Sequence, residues 1–141
     1  MTEDAVEILV VEDDPSHAEM TLRTLRKHNI ANRIQVARDG AEAVEFLFAG
    51  AGHNGVPKVI LLDLKLPKVD GMEVLRRIKA DPRTRKVPVV VVTSSSEDHD
   101  LQECYELGVN SYIVKPVDFQ QFTEAVRSLG LYWVLLNRLP N

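Results

Sequence analysis

The sequence predicts an α/β fold: a doubly wound, five-stranded parallel sheet of (βα)5 type with helices on both faces. Three observations carry this expectation. Five short runs rich in β-branched residues recur along the 141 residues. Four of the five are almost continuously apolar, as strands covered on both faces are. Each run is followed by a segment with helical spacing of its apolar residues. Strand–helix alternation of this kind builds a parallel sheet through right-handed crossovers.

Each element has its own local justification. The first strand is Val6–Val11, and the helix after it opens at Asp14-Pro15, a cap residue followed by proline at the first helical position. Ala18, Leu22 and Leu25 share one face of that helix. Arg33–Val36 alternates polar and apolar, which suits an edge strand. The second helix follows Asp39-Gly40 and carries Ala41, Val44 and Leu47. Val59–Leu62 is wholly aliphatic, and the third helix begins near Asp70, with Glu73 placed to close a capping box and Leu75 and Ile78 facing inward. Val89–Val92 precedes a fourth helix from about Asp98, with Leu101, Cys104 and Tyr105 on one side and Gly108 as its stop. Ser111–Val114 is the last strand. The fifth helix starts at Asp118 with Gln121 at the matching cap position, and its stripe is Phe119, Phe122, Val126, Leu129 and Trp133.

Composition narrows the class. A chain of this length holds one domain with a core large enough to need no staples. Hydrophobic residues make up 45% and charged residues 27%, the balance of an ordinary globular protein. A net charge of −4 and the lack of a Lys/Arg-dense stripe argue against nucleic-acid binding. The single Cys104 permits no internal disulfide and fits a reducing cytoplasm. The acidic start MTEDAVEILVVEDD is unlike a signal peptide, and no apolar run is long enough to span a membrane. The Gly-rich loop 49–58 matches no phosphate-binding fingerprint and reads as a connector.

Chemistry gathers at the strand ends. In a doubly wound sheet, ligands bind beyond the carboxyl ends of the strands, near the point where strand order reverses. The first strand ends in Glu12 and Asp13, the third in Asp63, the fourth in Thr93-Ser94 and the fifth in Lys115-Pro116. Three acids brought together raise one another's cost of ionising, and a divalent cation removes that cost. Hard oxygen ligands with open positions suit Mg²⁺, with Mn²⁺ as its substitute. Lys115 adds positive charge, and the Thr93 hydroxyl can donate to an oxygen of a transferring group. A carboxylate nucleophile flanked by Mg²⁺ and lysine is what formation of an aspartyl phosphate requires. Asp63 is the natural nucleophile, because Glu12 and Asp13 come as a pair from another strand and can hold the metal.

The segments ILVVEDDP, VILLDLKLPKVDG, VPVVVVTSSS and SYIVKPVD resemble, in order, the receiver domain of two-component response regulators, a flavodoxin-like fold. The likeness runs from about residue 7 to 128, leaving a helical extension over about 129–139 within a single domain, 1–141. It implies that Asp63 accepts a phosphoryl group from the phosphohistidine of a sensor histidine kinase. It implies that Asp13 and Asp63 ligate Mg²⁺ directly, Glu12 largely through water, and Lys65 through its main-chain carbonyl. It further implies that Thr93 and Tyr112 form a switch pair and that the Lys115–Pro116 bond is cis. Lys65 and Ser95 stand where receivers differ and where side chains influence loss of the phosphoryl group.

Blander readings compete at single residues. Glu12 and Asp13 could simply cap the first helix, Asp63 could be a turn residue, and Tyr112 a half-exposed sheet aromatic. His17, His28, His53 and His99 share no ligand spacing and are expected at helix ends or in loops, without chemistry. Two rival functions compete as well. A phosphohydrolase working through an aspartyl phosphate usually needs an acid two residues after the nucleophile, where this chain has Lys65. A degenerate receiver acting as a constitutive binding module would lack an acid or the lysine, and this chain lacks neither.

The close LGLYWVLLNRLPN is too short for an output domain, so a receiver of this kind is expected to signal through a partner protein. The 26 residues from Lys115 to Pro140 resemble single-domain regulators that accompany bacterial phytochromes and related kinases. Leu131, Tyr132 and Leu135 leave an apolar face uncovered, which predicts a homodimer, the alternative being that the tail folds back over its own domain. The expected interface combines this segment with the face of the fourth helix, fifth strand and fifth helix.

Overall fold

The structure, a computed structural model, describes residues 6–28, 30, 33–48, 56–66, 68–93, 98–109 and 111–128, with side chains for all of these except 93 and 98–101. Ten elements alternate along the chain: β1 Ile8–Val11, α1 Pro15–Lys27, β2 Ile34–Ala37, α2 Gly40–Phe48, β3 Val59–Asp63, α3 Gly71–Ala80, β4 Val89–Thr93, α4 Asp98–Glu106, β5 Ser111–Val114 and α5 Phe119–Ser128. The five strands form one parallel sheet in the order β2-β1-β3-β4-β5. The order reverses between β1 and β3, so the crevice beyond their carboxyl ends is where a ligand site belongs.

All residues of β1 and β3 are buried, which explains their unbroken aliphatic sequence. β2 is an edge strand with an alternating burial pattern, as its polar residues require. Alternate side chains of the central strands build two cores. Leu9, Val11, Ile60, Leu62, Val89 and Val91 pack with Leu75 and Ile78 of α3 and Ala43 and Leu47 of α2 on one face. Ile8, Val10, Val59, Leu61, Val90 and Val92 pack with Leu25 of α1 and Phe122 and Val126 of α5 on the other.

The helix ends follow local chemistry. The Asp14 carboxylate accepts from the amides of Ser16 and His17, at 2.8 and 3.2 Å, and Pro15 occupies the first turn. Asp39 caps α2 through the Glu42 amide at 2.8 Å, and Asp118 caps α5 through the Gln121 amide at 2.8 Å. Gly108, at φ +100°, takes the left-handed conformation that ends α4. The capping box expected at α3 is only half formed. Asp70 accepts from the Met72 amide, while Glu73 turns along the helix to Arg77.

Two inward faces differ from expectation. In α2 the buried residues are Gly40, Ala43 and Leu47, whereas Ala41 and Val44 are only half-buried. The helix is rotated so that Gly40 meets the segment before α3. In α4, Cys104 is buried against Met72, with sulfur atoms 3.7 Å apart, but Tyr105 points outward and is 49% exposed. Thr21 joins Ala18 and Leu25 on the buried face of α1, and Leu22 lies at its border. Leu129, Trp133 and the rest of the C-terminal segment, with the apolar face expected there, lie outside the described residues.

Candidate functional site

The site forms where β1, β3 and β5 end. Glu12 and Asp13 follow β1 directly, and Asp63 is the last residue of β3, paired in register with Val92 of β4. Lys115 follows β5, and its bond to Pro116 is cis, as expected. Each side chain is thus placed by a strand whose own position is fixed by the core, which holds the constellation rigidly.

Asp63 is 6% exposed and does not stand alone. One carboxylate oxygen, Oδ1, accepts from the Lys65 amide at 3.0 Å. The other, Oδ2, accepts from the Lys115 ammonium at 2.8 Å. The same ammonium lies 2.7 Å from Oε1 of Glu12, which is 5% exposed. Lys115 therefore bridges two buried carboxylates that would otherwise repel. Lys65 takes part through its main chain, while its side chain is exposed.

These contacts tune ionisation in opposite directions. Burial pushes the Glu12 carboxyl above its ordinary value, and the nearby Asp63 charge adds to that. The hydrogen bonds from Lys115 and the Asp14 amide pull back without cancelling it. Burial also works to lower the Lys115 value, but the hydrogen bonds to Asp63 and Glu12 outweigh it and hold the ammonium protonated.

Glu12, Asp13 and Asp63 each offer a carboxylate oxygen within 4.8 Å of the others. Two of these acids are buried and Asp13 is exposed, so the cluster is open on one side. Hard, negatively charged oxygens in an open half-shell fit a divalent cation that keeps water on its free positions.

The strand-end residues expected to act together do come together: Glu12, Asp13, Asp63 and Lys115. Thr93 ends β4 opposite Val114, but its hydroxyl, and all of Ser94 and Ser95, lie outside the described residues. Tyr112 sits on β5, 39% exposed, with its ring set edge-on to Tyr105 at 6.4 Å and 81°. Asp14, rather than Glu12 or Asp13, caps α1.

One residue read as having no chemistry belongs to the site. His17 Nδ1 lies 3.0 Å from the Lys115 ammonium and 4.0 Å from Glu12 Oε2. Its place in the first turn of α1, four residues after Asp13, was the available signal. Beside it, a cavity of about 360 Å³ between α1 and the β5–α5 connection is lined by His17, Met20, Thr21, Lys115, Pro116 and Val117.

Comparison with known proteins gives a consistent result. The family model for the response regulator receiver domain matches residues 8–127. A probable methanogenesis regulatory protein, FilR2 of Methanothrix harundinacea, is 42% identical over 139 residues, covering 98% of this chain and 90% of that protein. The structure of the bacteriophytochrome response regulator AtBRR shares 50% identity at a TM-score of 0.83, covering 95% of this chain and 99% of the other. Response regulator Rcp1 of Synechocystis sp. is 36% identical over 135 residues, covering 94% of this chain and 92% of Rcp1. The Mn²⁺-bound form of Rcp1 matches at a TM-score of 0.74 and 35% identity, covering 96% of this chain and 99% of the other.

Proposed function

The chain belongs to the response regulator receiver family, and from that premise we propose that Asp63 is its phosphoacceptor, loaded by a sensor histidine kinase with the help of Mg²⁺. The observation that carries this reading is the Lys115 ammonium shared between Asp63 and Glu12 beside a cluster of three acids. An Asp63 carboxylate oxygen forms a bond to phosphorus as the P–N bond of the donor phosphohistidine breaks. The electron pair of that bond leaves on the donor imidazole nitrogen, which is protonated from solvent. Lys115 turns from the carboxylate to a phosphoryl oxygen and offsets its charge. Glu12, Asp13, Asp63 and the Lys65 carbonyl would hold the cation, which supplies charge neutralisation for the incoming phosphoryl group. Mn²⁺ serves equally by its ligand preferences, and Rcp1 has been seen with that ion.

Thr93 and Tyr112 are proposed to report the modification to the α4–β5–α5 face, where Tyr105 and Tyr112 are already exposed side by side. That face, together with the C-terminal segment, is the proposed homodimer surface, and sedimentation at micromolar concentration tests it. The likeness to bacteriophytochrome regulators supports a phytochrome-type kinase as the partner. No helix among the described residues is long and apolar enough to cross a membrane. Lys65 stands where phosphohydrolases of this chemistry carry an acid, which counts against a phosphohydrolase reading. Intact mass after incubation with acetyl phosphate and Mg²⁺ tests the assignment. The native chain should gain one phosphoryl group and Asp63→Asn none, whereas undiminished uptake by that variant would overturn it.

A further inference from the structure

A protonated amine carries three N–H donors and no acceptor. Two of the acceptors around Lys115 are the carboxylates of Glu12 and Asp63, at 2.7 and 2.8 Å. The third is a ring nitrogen, Nδ1 of His17, at 3.0 Å. We infer that His17 is a positioning residue for phosphoryl transfer, the fixed third acceptor that aims the Lys115 ammonium at the reacting group. This inference rests on the receiver reading above.

The geometry dictates the form of the imidazole. Lys115 lies 2.7 and 2.8 Å from two carboxylate oxygens, which can only accept, so its ammonium donates and Nδ1 accepts. The ring proton therefore sits on Nε2, which faces Oδ2 of Asp14 at 3.8 Å. The ring reaches the site because of its place in α1. His17 lies in the first turn, its own amide donates to Oδ1 of the capping Asp14 at 3.2 Å, and helical side chains lean back toward the N-terminus. That direction carries the imidazole to the edge where β5 ends.

The three acceptors are not equivalent during transfer. Asp63 is the group whose charge and bonding change, so the N–H it receives from Lys115 must turn to a phosphoryl oxygen. Glu12 and His17 are not modified, and they hold the other two N–H groups through the step. Without His17 the ammonium keeps one stationary anchor and can rotate about it, so it is less well oriented when negative charge arrives. The adjoining cavity sharpens this, since an ammonium released from His17 has space beside Pro116 and Val117 to move into.

The test uses the full chain and acetyl phosphate with saturating Mg²⁺, following phosphoryl uptake by intact mass. His17→Leu keeps bulk without an acceptor, and His17→Asn restores an acceptor near the place of Nδ1. His17→Leu should slow uptake about fivefold, as a lost orienting contact does, and His17→Asn should return it to within about twofold of the native rate. A ring ¹⁵N spectrum supplies a readout independent of transfer: His17 should be the Nε2–H tautomer, with Nδ1 shifted by its hydrogen bond in the native chain and not in Lys115→Met. Native-like uptake by His17→Leu would overturn the inference while leaving the receiver reading intact. So would equal slowing in the Leu and Asn variants, or a proton found on Nδ1. Failure of the native chain to take up phosphoryl at all would overturn both.

Discussion

Gly71 packs so closely on Asp63 that a Cβ on the glycine would lie 2.4 Å from the Asp63 carbonyl oxygen, with the backbone of Leu64 scarcely farther. The Gly71 amide donates to the Leu64 carbonyl at 3.1 Å, which seats the start of α3 directly against the end of β3. The obstructing atoms are main chain, so they cannot swing aside as a side chain would. Gly71→Ala should therefore destabilise the fold by about 3 kcal/mol through forced displacement of backbone. It should also slow phosphoryl uptake in the molecules that stay folded, because the displaced backbone belongs to the phosphoacceptor. Denaturant unfolding and uptake from acetyl phosphate check the two effects. A stable variant with native uptake would show that the helix start is free to shift.

Lys115 has a structural and a chemical task, and one substitution separates them. Removing its ammonium leaves Glu12 and Asp63, both nearly fully buried, facing one another without a cation. Breaking a buried charge pair from one side typically costs about 3 kcal/mol. Lys115→Met should show that loss in metal-free buffer and recover much of it when Mg²⁺ is added, because the cation takes over the charge balance. Phosphoryl uptake should stay reduced by a factor on the order of 100 even with Mg²⁺, since no ammonium meets the phosphoryl oxygen. Recovery of both stability and uptake on adding the metal would show that Lys115 acts only through charge balance.

The raised Glu12 value fixes the sign of a pH effect. Above its folded-state value Glu12 is ionised at a cost that the unfolded chain does not bear. As pH falls through that value toward 4.5, the folded state takes up a proton before the unfolded state does, so stability rises. The capping acids Asp14 and Asp39 act oppositely and in a lower window. Backbone amides, His17 for Asp14 and Glu42 for Asp39, hold both carboxyls below 3.8, so their contribution is lost only as pH falls past that range. Metal-free protein should thus gain stability between neutral pH and about 4.5, and Glu12→Gln should flatten that gain. Mg²⁺ should flatten it too. Denaturant midpoints at several pH values, with and without chelator, decide the matter, and an equal slope in Glu12→Gln would assign the effect elsewhere.

Much of this was legible in the chain because strand ends in a parallel sheet are easy to locate. Four aliphatic runs stop at polar residues, and three of the stops, Glu12, Asp63 and Lys115, meet in space within hydrogen-bond distance. What escaped depends on how helices are aimed rather than where they start. His17 is 98 residues from Lys115, and its relevance follows from the tilt of side chains in the first turn of α1. In the sequence only its place four residues after Asp13 hints at the site, and nothing there points to Lys115. Tyr105 sits next to buried Cys104, and a helix face read from three apolar residues placed both inside, although adjacent residues on α4 point about 100° apart. Nothing in the sequence singles out Gly71, and only the seating of α3 on β3 shows why no larger residue fits.

Tyr105 also marks where a conformational equilibrium can be read. Its ring meets Tyr112 edge-on, with centroids 6.4 Å apart and planes at 81°, a favourable aromatic geometry. Both rings are exposed by more than a third, so the contact joins α4 to β5 at the surface without anchoring either in the core. Such pairs contribute about 0.5–1.5 kcal/mol beyond the area they cover, enough to hold Tyr112 outward but not to lock it there. If phosphorylation of Asp63 draws Tyr112 inward, the contact with Tyr105 must be given up. A double-mutant cycle of Tyr105→Ala and Tyr112→Ala, measured by denaturant unfolding, should return a coupling of about 1 kcal/mol in the unmodified protein. The same cycle with acetyl phosphate and Mg²⁺ present should return a coupling near zero, and Tyr105→Ala alone should then stabilise the phosphorylated form relative to the unmodified one. A coupling unchanged by phosphorylation would show that Tyr112 keeps its outward position in both states and that the signal leaves the site by another route.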